Sequence, residues 1–131
     1  MIQIIQLKGT DRRLYELVAP LVMNPDVLKQ NYNYPFRTSE DFVWFVAVEK
    51  RKVIGFIPVE EKKKECIINN YYVEDNNEST LKLLLEKVIS NATAGKELTS
   101  VTFMEHCSLF KELGFSEEKV RTRYVKMKKD R

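Results

Sequence analysis

Two short stretches hold the residues of this chain that could move a proton or grip an anion. One reads Glu74, Asp75, Asn76, Asn77, Glu78, Ser79, Thr80; the other sets His106, the single histidine, beside Cys107. Imidazole and thiol exchange protons close to neutral pH, which makes His106 and Cys107 the candidate acids or bases. Each also reads as an ordinary packing residue when no partner is known. The amides and hydroxyls of Asn76, Asn77, Ser79 and Thr80, with the first N–H groups of a helix, suit a phosphate. The carboxylates of Glu74, Asp75 and Glu78 suit instead a helix end with nothing bound, because negative side chains favour the positive end of the helix dipole. Glu65, Asn69 and Asn70 are candidates to orient an amine or a water, although an asparagine amide cannot serve as a base. Tyr32, Tyr34 and Phe36 crowd an irregular segment at 31–40, which reads either as a binding wall or as cover for a sheet. No phosphate-cradling Walker loop, dinucleotide fingerprint or zinc spacing occurs, so no metal is expected. No nucleophile-elbow glycines flank a serine.

These residues must be positioned by a chain of 131 residues, 44% of them hydrophobic, which fits a single domain over 1–131. No apolar run approaches the ~20 residues of a membrane span, and 1–7 alternates with Gln too soon for a signal core. A cytoplasmic protein without membrane contact is expected, with Cys66 and Cys107 free and reduced. The net charge of +3 hides an asymmetry: positions 119–131 carry seven Lys or Arg against Asp130 alone, so this end holds +6 and the rest −3. Lys and Arg guarding a sheet edge are preferred here to a nucleic-acid surface.

Periodicity supplies the elements. Ile2, Ile4 and Leu7 suggest a first strand, and Leu14, Leu17, Val18, Leu21 and Val22 recur at helical spacing behind Asp11. Pro20 predicts a kink or early end of that helix, and Asn24-Pro25 a second short helix toward Gln30. The runs 42–48, 53–59 and 66–73 read as an antiparallel meander, with Pro58 predicting a bulge or lost pairing near the end of the second run. A helix over about 78–92 presents Leu81, Leu84, Leu85, Val88 and Ala92 on one face, with Gly95 beyond its end. A strand at 100–104, a short helix at 107–113, Gly114 and one final basic strand complete an α/β order with a mixed sheet.

That order, closing on Leu109, Phe110, Lys111, Glu112, Leu113, Gly114 and Phe115, resembles the GNAT superfamily of acyl-CoA-dependent N-acyltransferases. The run ending Tyr71, Tyr72, Val73 before an amphipathic helix adds to the resemblance. It implies a mixed, mostly antiparallel sheet flanked by helices, with the fourth and fifth strands splayed. The pantetheine arm of acetyl-CoA, the implied co-substrate, would bond the backbones of Tyr71 and Val73 in that gap. Asn76, Asn77, Ser79 and Thr80 would face its pyrophosphate. Tyr32, Tyr34 and Phe36 would wall the acceptor, a small-molecule or peptide amine. The chain departs from the family pattern at two points. The pyrophosphate loop lacks the family's glycines and arginine, and Phe110 stands where the family has a proton-donating tyrosine. Acyl transfer that relies on orientation is one implication. A catalytically degenerate binding or interaction module that keeps the cleft is the other. Nucleic acid is not an expected partner, and a homodimer is left open.

Overall fold

The computed structural model describes residues 1–91 and 95–130. Strand β1 (Gln3–Lys8) pairs antiparallel with β2 (Phe42–Glu49), and β2 with β3 (Lys52–Glu61). Between β1 and β2 lie helices α1 (Arg12–Val22) and α2 (Pro25–Gln30), started by Asp11 and Asn24, whose side chains accept from Arg13 N and Asp26 N. Capping of this kind satisfies N–H groups that have no partner within the helix. Helix α1 runs through Pro20 and stops two residues later, so the proline sits in the last turn.

The central strands are apolar on both faces because both faces are covered. Trp44 and Val46 of β2 join Leu14, Val18 and Val27 of the first two helices in one core. Phe45 and Ala47 turn the other way, into a second core with Leu81, Leu84, Leu85 and Val88. Those four lie on α3 (Glu78–Asn91), the long helix the periodicity predicts. Ala92, placed by the periodicity on the same face, and Arg131, in the basic run, lie outside the described residues.

Two expected single strands are each two. The run 66–73 divides into β4 (Glu65–Ile68) and β5 (Tyr72–Val73), both antiparallel to β3. The basic end is a hairpin of β7 (Phe115–Val120) and β8 (Tyr124–Lys129). Strand β6 (Glu97–Phe103) begins earlier than expected and pairs parallel with β4 and antiparallel with β8. The order is β1-β2-β3-β4-β6-β8-β7. Lys126, Lys128 and Lys129 therefore sit on an interior strand, and the edge belongs to β7, with exposed Glu117, Glu118 and Lys119. The edge-guard reading of the final basic strand is corrected accordingly: a turn at 121–123 folds the chain back and buries the strand's hydrogen-bonding edges on both sides. Helix α4 (Cys107–Glu112) ends before Gly114, whose φ of +96° is one that a Cβ disfavours.

Candidate functional site

The site is made by one extra residue. Phe56 pairs with Tyr72 and Val59 with Ile68, so two residues of β3 face three on the other side, Asn69, Asn70 and Tyr71. A bulge of this kind bends its strand away from its neighbour. Pro58 lies opposite it, paired in register with Trp44 on one side and unpaired on the other. The predicted loss of pairing thus falls on the β4–β5 side, where a residue without an N–H is tolerated. Strands β4 and β6 keep their parallel register only to Ile68 and Ser100. Beyond that point β5 follows β3, and a gap opens between it and the end of β6. Gly55 permits the switch, because a Cβ there would stand 2.8 Å from the Tyr72 carbonyl oxygen.

A buried polar chain crosses the gap. The Phe103 N–H donates to the Tyr71 hydroxyl at 3.2 Å, and Tyr71 meets His106 Nδ1 at 2.7 Å. His106 Nε2 meets Asn76 Oδ1 at 2.7 Å. Since the Asn76 oxygen only accepts, His106 carries its proton on Nε2 and accepts a hydrogen bond from the Tyr71 hydroxyl at Nδ1. Burial lowers the His106 pKa, against the pull of Glu105 and Glu78, and raises that of the Tyr71 phenol well above the usual range. The chain is neutral and every member is paired. Asn76 and Asp75 hold left-handed φ values of 54° and 55°, which aim the loop back at the histidine.

The start of α3 is also occupied by its own chain. Asn77 Oδ1 accepts from Ser79 N at 2.9 Å and Thr80 N at 3.2 Å. Glu74 pairs with Lys52 at 2.5 Å. These are two of the N–H groups that an anion at this helix end would use.

On the other side of Phe103 lies a cavity of about 250 Å³. The bulge residues Asn69 and Asn70, the β6 residues Val101 and Phe103, and Arg123 and Tyr124 form part of its wall. Asn31, Tyr32 and Tyr34 complete it from the segment after α2. Tyr32 has a φ of 53°, costly for an aromatic residue, and its ring lies edge-on to Phe103 at 5.8 Å. The Arg123 guanidinium stacks over the same ring, 4.8 Å from its centroid.

Solved structures align with nearly the whole chain. Escherichia coli ElaA does so with a TM-score of 0.79 over 98% of this chain and 99% of its own, at 11% identity. An acyl-CoA N-acyltransferase from Pseudomonas aeruginosa gives 0.78 over 98% and 99%, at 12% identity. A GNAT family acetyltransferase from Elizabethkingia anophelis, solved with acetyl-CoA bound, gives 0.60 over 97% and 94%, at 16% identity. The chain has the GNAT fold. At these identities the likeness is one of fold alone; no family model matches the sequence, and no curated protein does.

Within the GNAT fold, Val73 lies on β5 and Tyr71 in the bulge just before it, beside the gap. Asn76, Asn77, Ser79 and Thr80 gather at the start of α3, but Asn77 acts as an acceptor there and Asn76 is turned to His106. His106 has both nitrogens engaged, and the Cys107 thiol, its pKa raised by burial, donates to the Phe103 carbonyl at 3.6 Å. Neither lines the cavity. Phe110 is fully buried between Tyr71 and Phe115, with ring centroids 5.9 and 5.1 Å away. Tyr32, Tyr34, Asn69 and Asn70 line the cavity, whereas Phe36 packs on Phe56 at 5.0 Å in the core beneath α1 and α2. Glu65 pairs opposite Glu97, at the end of β4 remote from the gap. Sequence reasoning missed the Tyr71 side chain, Asn31 and Arg123. The low strand preference of Asn69-Asn70 was the available signal for the bulge; nothing set Arg123 apart from the other basic residues of its run.

Proposed function

We propose that this chain transfers an acyl group, acetyl in the simplest case, from acyl-CoA to an amine. The observation that carries the proposal is the parting of β4 and β6 at Asn69, which leaves main-chain groups facing a gap with a cavity at its end. Main-chain N–H and C=O groups outside a ladder need partners, and an amide-bearing arm supplies them. On this reading the backbones of Tyr71 and Val73 bind the pantetheine amides. The phosphates lie toward Asn76, Asn77, Ser79 and Thr80, where they replace the Asn77 side chain as acceptor. Tyr32 and Tyr34 contact the acceptor, and Phe36, packed on Phe56 in the core, takes no part in that wall.

The acceptor amine, in its neutral form, attacks the thioester carbonyl; the C–N bond forms, the C–S bond breaks, and the amine proton leaves with the thiol or to water. Phe110 gives no proton to the sulfur. Alignment is then the main source of rate, and it lowers such barriers by several kcal/mol, about 7–11 at best. The acetyl-CoA bound by the Elizabethkingia anophelis protein supports the choice of co-substrate. Phe110 and the Asn77 cap favour a second reading, a GNAT-fold module that binds in the cleft without catalysis. Release of free thiol from acetyl-CoA in the presence of a panel of amines separates the two, since the module reading predicts none.

A further inference from the structure

Asn31 ends α2, its own N–H bonded to Leu28 O at 3.0 Å and its carbonyl to Tyr34 N at 2.9 Å. The residue is 2% exposed and stands in the wall of the cavity, and neither its buried amide oxygen nor its amide nitrogen has a hydrogen-bond partner among the described residues. Leaving both ends of a buried amide unpaired destabilises a fold unless something else answers them. The neighbouring Tyr32 keeps a left-handed backbone over the same cavity. A strained residue beside an unanswered amide is the pattern of a site arranged for a ligand.

The charge of the wall narrows that ligand. Arg123 is the cation lining the cavity, held on the Tyr32 ring and with no carboxylate partner among the described residues. No Asp or Glu stands among the lining residues; Glu60 accepts from Asn69 Nδ2 at 3.5 Å and is not one of them. A wall of this kind opposes an acceptor that carries only positive charge. It favours one that brings a carboxylate, which the guanidinium fork fits with two parallel hydrogen bonds. An asparagine amide complements such a molecule at both ends, its N–H₂ toward a carboxylate and its oxygen toward an amine N–H. The volume of about 250 Å³ equals roughly eight waters at about 30 Å³ each, which admits a small molecule and not a folded chain.

Resting on the acyl-transfer reading for its chemistry, we infer that the acceptor is a small amino acid or a close relative, whose free carboxylate is held by Arg123 and whose amine is held by Asn31. The test is a calorimetric and saturation-transfer NMR screen of the full chain against the free amino acids, their carboxamides and the matching decarboxylated amines, run alongside thiol release from acetyl-CoA. Free amino acids bind, and the carboxamides and bare amines bind at least tenfold more weakly. Arg123→Gln removes that preference. Asn31→Leu weakens amino-acid binding about tenfold while raising the melting temperature, because it deletes the unpaired amide; this second variant separates a binding role from a folding one. Binding of free amino acids without thiol release supports the ligand class and sinks acyl transfer. Acetylation of bare amines or carboxamides as efficient as that of amino acids, or no binding of any free amino acid, overturns the inference.

Discussion

The hydroxyl of Tyr71 and Nδ1 of His106 stand 2.7 Å apart, inside the gap where two neighbouring strands part. This bond joins the bulge of the sheet to the turn before α4, and Asn76 extends it to the start of α3. Buried polar chains are stabilising only when every member is paired. Tyr71→Phe leaves the Phe103 N–H and His106 Nδ1 without partners and should cost about 1–3 kcal/mol of stability in urea unfolding. A change of only a few tenths would show that the chain contributes no more than shape.

The same histidine sets a pH response. Burial holds the folded-state pKa of His106 below that of the unfolded chain, near 6.5. The unfolded state therefore binds more protons as pH falls below about 6.5, and stability declines from there down through the folded-state value. Glu105 and Glu78 oppose the shift without reversing it, and Tyr71 and Asn76 are neutral in this range. Unfolding free energy measured across this window should fall more steeply for the wild type than for His106→Gln. Equal slopes would contradict the burial argument.

Gly55 faces Val73 of β5 with no room for a side chain. Gly55→Ala sets a methyl group 2.8 Å from the Tyr72 carbonyl oxygen and about 3.0 Å from Val73 Cγ1. The backbone must give, at a cost of roughly 1–3 kcal/mol. Hydrogen exchange should quicken at Tyr72 and Val73 before it does so in β2.

Much of this was legible beforehand, for reasons particular residues make plain. The alternation of Trp44 and Val46 against Phe45 and Ala47 follows from a strand with two covered faces, and the leucines of α3 declare one buried stripe. Gly114 marked its turn because its φ is one that few other residues accept. The bulge was hidden because 66–73 is a plausible continuous strand until its partner is known; register is a property of two segments. The hairpin at 121–123 was hidden because no Gly or Pro announces the turn. Arg123 owes its place to that turn, and Asn31 its burial to the packing of α2, so neither role exists in the sequence alone.

The helix cap offers a test of the phosphate end. Asn77→Ala removes the acceptor from Ser79 N and Thr80 N, at about 0.5–2 kcal/mol of stability. The freed N–H groups should at the same time tighten acetyl-CoA binding and leave a pantetheine-only analogue unaffected. Glu78→Gln, which removes one nearby carboxylate, should act in the same direction. Loss of affinity in both variants would mean that these side chains assist the phosphates.

The central claim, that acyl-CoA enters the gap bordered by Tyr71 and Val73, is tested most directly by calorimetric titration of the wild-type chain with acetyl-CoA and with its pantetheine-only analogue. Saturable binding of both is expected, weak and closely matched, on the order of 100 μM or weaker, because the strand edge supplies the contacts and the loop adds little. The absence of saturable heat for either compound at millimolar concentration contradicts it, as does submicromolar binding of acetyl-CoA that the truncated analogue fails to reproduce.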